Sequence, residues 1–109
     1  MYLLDMDFET KERLAMRGRH DNEALGRRLK AARICAGLSQ RDLAEAVGRV
    51  PTAIINMEKG RSAVTIRVMS YLYKAHRIDM NFLILGEFTH LPGHVQGNLF
   101  RSLASLDHD

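Results

Sequence analysis

"SQRDLAEAVGRVPTAIINMEKG", residues Ser39 to Gly60, reads as two short helices joined by a glycine. Ser39 is a good N-cap for the first, whose apolar side holds Leu43, Ala44 and Val47 while Arg41, Asp42 and Glu45 turn outward. Gly48 stops that helix, because a glycine takes positive φ without a steric cost. Pro51 suits the first turn of the second helix: its fixed φ is helical, and the N–H it lacks would have no partner there. Ile54 and Met57 point inward from this helix, which leaves Pro51, Thr52, Ile55 and Asn56 on the opposite face.

On the N-terminal side, Asp21 is placed to cap "NEALGRRLKAARICAG", where Leu25, Leu29, Ala32 and Cys35 or Ala36 share a face and Gly37 ends the helix. After the loop "KGRSAV", Thr65 caps a helix with Ile66, Met69, Leu72 and Tyr73 on its expected buried side, and a shorter helix follows Asp79 with Leu83 and Ile84, ending at Gly86. No segment alternates with period two, so the expected class is all-α. The expected organisation is an N-terminal extension over 1–20, a five-helix unit over 21–87 and a C-terminal extension over 88–109. In the first extension a helix is expected from Asp7 to Arg17, with Phe8, Leu14 and Met16 available for packing. In the second, "HVQGNLFRSLASL" spaces Val95, Leu99, Leu103 and Leu106 as an amphipathic helix, either part of the core or a dimer interface. No lysine cluster lies opposite that stripe, which argues against a membrane anchor.

A chain of 109 residues with 46% hydrophobic and 27% charged residues can bury one modest core and contains no apolar run of membrane-spanning length. The opening "MYLLDMDF" has two acids and no basic region or small-residue cleavage site, so it does not read as a secretory signal, and a cytoplasmic location is expected. Cys35 has no partner for a disulfide or a CxxC pair and is read as helix packing. The net charge is +3, but nine basic side chains stand against four acidic ones between Glu23 and Arg67, a surplus of five there. Such a basic centre fits a nucleic-acid face, and a solvated helix surface gives a similar pattern.

Enzymatic signatures are missing from the sequence: it has no phosphate-cradling glycine loop, nucleophile elbow or zinc-binding helix pair. His20, His76, His90, His94 and His108 are scattered, and Pro92 interrupts any helix that would align His90 with His94. The expectation is a non-enzyme with no metal and no cofactor.

Two short helices around a glycine turn form the helix-turn-helix arrangement, in which the second helix enters the DNA major groove. The stretches "LGRRLKAARICAGLSQRDLAEAVG", "AIINMEKGR" and "IRVMSYLYKAHRIDMNFLILGE", covering Leu25 to Glu87 in order, resemble the phage repressor and Cro-type helix-turn-helix domain (the XRE-like family). The resemblance implies a five-helix domain from a bacterial or phage regulator, with Ser39 to Val47 and Pro51 to Glu58 as the DNA-binding pair. It also implies that Gln40 braces the recognition helix and touches DNA phosphate. Lys59 and Arg61 flank a backbone-contacting loop, and Ser39 and Arg49 join the phosphate set. Arg33 and Glu58 match a structural charged pair. A homodimer on two half-sites of double-stranded DNA is implied as well.

This chain departs from that family where Arg49 and Val50 replace the usual apolar residue and Ser or Thr cap, and where Pro51 and Thr52 fill the first readout positions. No residue on the face Pro51, Thr52, Ile55, Asn56 makes a bidentate contact to guanine. Asn56 pairs with adenine, Thr52 makes a single bond and Ile55 packs on a thymine methyl, so A·T-leaning readout is expected, with Arg49 or DNA shape supplying the rest. The alternative is a protein-interaction module or antitoxin-like regulator on the same fold, holding a protein partner through its extensions.

Overall fold

Helix ends in this chain sit where side chains or glycines satisfy the backbone groups that a helix leaves unpaired. The computed structural model describes residues 6–107. Among them are seven helices and no strand: α1 (Phe8–Ala15), α2 (Asn22–Cys35), α3 (Gln40–Ala46), α4 (Pro51–Glu58), α5 (Ile66–His76), α6 (Met80–Leu85) and α7 (Gly93–Leu106). Asp7 accepts from Thr10 N–H at 2.8 Å, Thr65 from Val68 N–H at 3.2 Å and Asp79 from Phe82 N–H at 2.9 Å, capping α1, α5 and α6. Asp21 precedes α2 but makes no capping bond. Both its oxygens accept from Arg19, at 2.9 and 2.8 Å, and the guanidinium holds this carboxyl well below the usual range.

The core is built around α2, which buries Ala24, Leu29, Ala31 and Ala32. One hydrophobic cluster joins Leu29, Ala31 and Ala32 of α2 to Leu43 of α3, Ile54 and Met57 of α4, Leu72 of α5 and Phe82 of α6. The flanking helices enter the same cluster: Leu14 and Ala15 from α1, and Leu99, Phe100 and Leu103 from α7. The five helices α2 to α6 are therefore not a unit closed on itself, and the segments 1–20 and 88–109 are not appendages wherever they are described.

This corrects the dimer-interface reading of α7. Leu99 and Leu103 have no exposed surface, and Val95 and Leu106 are half-buried against the chain's own core. The buried side of α2 is wider than a single stripe, and α7 is the helix that covers the part left open by α4 and α6. A second correction concerns α5. Helical spacing allows two overlapping arcs sharing Met69 and Leu72, and the core takes the arc containing Val68, leaving Ile66 and Tyr73 exposed.

A third correction concerns charge. Arg28 is completely buried and, among the described residues, has no carboxylate partner. Its guanidinium donates to the carbonyls of Ala15 at 2.8 Å, Met16 at 2.5 Å, Arg19 at 2.6 Å, Leu83 at 3.3 Å and Ile84 at 2.9 Å. It thereby ties the segment after α1 to the C-terminal turn of α6. Burial pushes its pKa down to about 10, so the group still carries its charge at neutral pH. Arg27 donates to the carbonyls of Leu14 and Leu103 and pairs with Asp107 at 3.0 Å. Two cations of the basic centre are thus spent on joining α1, α2, α6 and α7.

Arg77, just after α5, holds φ of 60° and is exposed. A left-handed conformation costs a non-glycine residue about 1–2 kcal/mol, and glycine there gives back about 0.4–1 kcal/mol through the freer unfolded chain. Arg77→Gly is therefore expected to stabilise the fold by about 0.5 kcal/mol, raising Tm by a few degrees in a thermal melt.

Candidate nucleic-acid interface

The chain reverses between α3 and α4 through a hydrogen-bonded glycine turn. Gly48, at φ of 70°, donates to Glu45 O at 3.3 Å, and Arg49 N–H reaches back to Ala44 O at 2.8 Å, the pairing of a Schellman motif. Val50 follows in an extended conformation and Pro51 opens α4. Upstream, Ser39 accepts from Asp42 N–H at 3.0 Å while the Asp42 carboxylate accepts from Ser39 N–H at 3.1 Å, a complete capping box at the start of α3. That backbone bond from Ser39 holds the Asp42 carboxyl below its ordinary pKa. The cap therefore supports α3 at neutral pH and is lost only as pH falls through that lowered value.

Three contacts fix where α4 points. Ile54 and Met57 are buried, at 0% and 2% exposure, where α4 packs on α2 and α3. Gly26 lets the backbones of α2 and α4 meet: a Cβ there would lie 2.3 Å from Met57 O and 2.9 Å from Glu58 O. Glu58, with its side chain 3% exposed, receives Arg33 Nε at 2.6 Å and Arg33 Nη2 at 3.1 Å, and accepts from Gln40 Nε2 at 3.0 Å. Arg33 also donates to Leu38 O at 2.9 Å. One carboxylate thus clamps α2, α3 and α4 together.

Glu58→Gln leaves the buried Arg33 charge without its counter-ion, and is expected to cost about 2 kcal/mol in denaturant unfolding. The pair replacement Arg33→Met with Glu58→Leu should recover most of that loss, since no unpaired charge remains. A single variant as stable as the parent would show that the clamp contributes nothing.

On the outward face, Pro51 and Thr52 are exposed, and Ile55 and Asn56 are half-buried one turn further along. Of the residues assigned to phosphate, Ser39, Arg49, Lys59 and Arg61 are exposed. Gln40 is half-buried with its amide nitrogen engaged on Glu58. Lys59 and Arg61 are held around Gly60 by a second Schellman turn, with Arg61 N–H on Asn56 O at 2.9 Å and Gly60 N–H on Met57 O at 3.1 Å. Exposed Arg67 lies behind the first turn, donating to Val47 O at 3.4 Å. The predicted contact residues thus lie on α4, at the start of α3 and in the two glycine turns that flank α4, while Arg33 and Glu58 form the ion pair that ties α4 to α2. Reading the sequence alone missed Val50, which is 64% exposed beside Pro51, and Gly26, whose mid-helix position was the available signal.

A family model described as "Helix-turn-helix domain" matches residues 24–80, just over half of the chain. The chain belongs to the helix-turn-helix family. No curated protein and no solved structure matches it. The matched helix-turn-helix segment runs from α2 to the first residue of α6, so α1 and α7 lie outside it while sharing its core. Helix-turn-helix domains are DNA-binding modules, and the family agrees with the repressor and Cro-type resemblance of the sequence.

Among the described residues, no group of three or more His, Cys, Asp or Glu side chains is placed to hold a metal ion. His90 pairs with Asp79 at 3.1 Å, His94 is exposed, and His108 lies outside the described residues. No described helix is long and apolar enough to cross a membrane.

Proposed function

We propose that this helix-turn-helix protein is a sequence-specific transcriptional regulator that represses by occupying operator DNA as a homodimer, a non-catalytic role in the cytoplasm at the nucleoid. The observation that carries the reading is the first turn of α4: Pro51 and Thr52 stand clear of the chain's own packing, with exposed Arg49 just before them and exposed Lys59 and Arg61 beyond the C-terminal end of the helix. Those cations, with Ser39 and Gln40, hold the backbone, a role that adds affinity and fixes register without reading bases. Thr52 and Asn56, with Pro51 and Ile55, contact base edges, favouring A·T pairs. Dimerisation places two copies of α4 on half-sites about 34 Å apart. With Leu99 and Leu103 inside the fold, the dimer contact lies elsewhere on the surface.

The experiment is selection of bound sites from random duplex DNA with the full chain. A palindromic pair of half-sites is expected. Three cations on phosphate give a log–log salt slope of about −2.7 per protomer, so raising salt from about 50 to about 200 mM weakens a protomer about forty-fold and a dimer about two-thousand-fold. Replacing Thr52 and Asn56 by alanine should broaden base preference and leave the salt slope unchanged. Weak binding at every salt concentration would favour the protein-interaction alternative and overturn the operator reading.

A further inference from the structure

The entrance to α4 is unusual in its chemistry. A helix N-cap favours Ser, Thr, Asp or Asn, whose side chain accepts a backbone N–H, and a non-polar cap gives up about 1 kcal/mol of helix stability. Val50 occupies that position, makes no capping bond and is 64% exposed, so its isopropyl group serves neither the helix nor the core. Pro51, next to it, is exposed and carries no N–H. The N–H of Ala53 is already given to Val50 O at 3.0 Å. Thr52 adds a third exposed side chain, half of it a methyl group. Val50 and Pro51 therefore present an apolar patch without side-chain hydrogen-bonding groups at the tip of α4, extended by the methyl of Thr52 beside its hydroxyl.

We infer that this patch reads the C5-methyl groups of pyrimidines in the major groove, with Val50 as a specificity-determining residue. The inference rests on the DNA reading above and deepens it. Guanine presents two acceptors to the groove and adenine an acceptor and a donor, which Val50 and Pro51 cannot satisfy. The thymine methyl is the one apolar group that a groove edge offers. Exposed Arg49, joined directly to Val50, and Lys59 and Arg61 at the other end of α4 give the surroundings of the patch the charge that DNA attracts and an apolar protein surface does not. Ile55, being half-buried, has less surface to offer a methyl than Val50. Cytosine methylated at C5 presents the same group at the same place, so the surface should accept it in place of thymine.

The test uses the full chain and a duplex recovered by selection. Each thymine of the half-site is replaced in turn by deoxyuridine, which removes the methyl and keeps every hydrogen bond. Affinity is expected to fall about fourfold for each contacted methyl and by more than tenfold where two are removed together. In Val50→Ala the same replacement should change affinity less than twofold at the position read by Val50. Val50→Thr, which keeps a methyl and restores a favourable cap, should retain the discrimination. Changing that thymine to cytosine should weaken binding, and 5-methylcytosine should restore most of the loss. Selective, salt-sensitive binding that is indifferent to uracil at every position overturns this inference alone. Failure to select any duplex overturns the DNA reading and this inference together.

Discussion

Arg28→Met is expected to be the most destabilising single substitution in the chain, removing about 4 kcal/mol or more of folding free energy. Five carbonyls, those of Ala15, Met16, Arg19, Leu83 and Ile84, lose the guanidinium together, and of these Met16 O keeps a backbone donor, Arg19 N–H at 3.0 Å. A hydrogen bond to a charged group contributes about 1.5–3 kcal/mol, and relief from burying the charge returns only part of the sum. Against a total stability of about 5–15 kcal/mol, such a loss leaves a chain with a large unfolded fraction. Arg28→Lys should not rescue it, because an ammonium has three donors on a point and cannot span carbonyls from three separate segments. Chemical denaturation followed by circular dichroism measures the loss. A methionine variant within about 1 kcal/mol of the parent would mean that the carbonyls are satisfied without the arginine.

Gly26→Ala carries the second large effect, and its sign is the informative part. Inside an exposed helix, alanine is better than glycine by about 1 kcal/mol, so propensity alone predicts a gain. Here the new methyl would meet the backbone oxygens of Met57 and Glu58, at 2.3 and 2.9 Å, and backbone cannot swing aside as a flexible side chain can. The C-terminal end of α4 must move away from α2. The expected result is a net loss of about 2–3 kcal/mol, together with at least a tenfold drop in DNA affinity at temperatures where the variant stays folded. Gly93→Ala, at the first residue of α7 where nothing lies within 4 Å of the added carbon, is the control and should be neutral or mildly stabilising. A Gly26 variant that follows the control would show that α4 does not depend on this approach.

The two substitutions illustrate how unevenly the structure was legible. Gly48 and Pro51 announced a turn and a helix start through their own covalent chemistry, and the structure has both, with Ile54 and Met57 turned inward as the spacing required. Asp21 was equally well placed to cap α2, yet it bonds Arg19, a competitor that only the folded loop brings within reach. Arg27 and Arg28 read as part of a basic face because a charge on a helix is normally solvated. Nothing local distinguishes a cation facing water from one facing a cluster of carbonyls contributed by α1 and α6. The candidate site was clearer than the core, since most of its residues lie on two adjacent helices whose relative placement follows from one turn.

The sequence by itself determined where the helices begin and end, which face of α4 turns inward, and the Arg33–Glu58 pair that the family resemblance anticipated. The helix ends and the inward face of α4 depend on interactions among residues a few positions apart or on a short, stereotyped turn, whereas the Arg33–Glu58 pair, 25 positions apart, came from the resemblance. Only the tertiary structure decided that the stripe of α7 closes the core instead of meeting a second copy, that Ile66 and Tyr73 face water, and that Val50 stands bare at the tip of the outward helix. A helical period gives the direction of an apolar face, whereas burial depends on which other surface arrives to cover it, and that surface is supplied by parts of the chain tens of residues away.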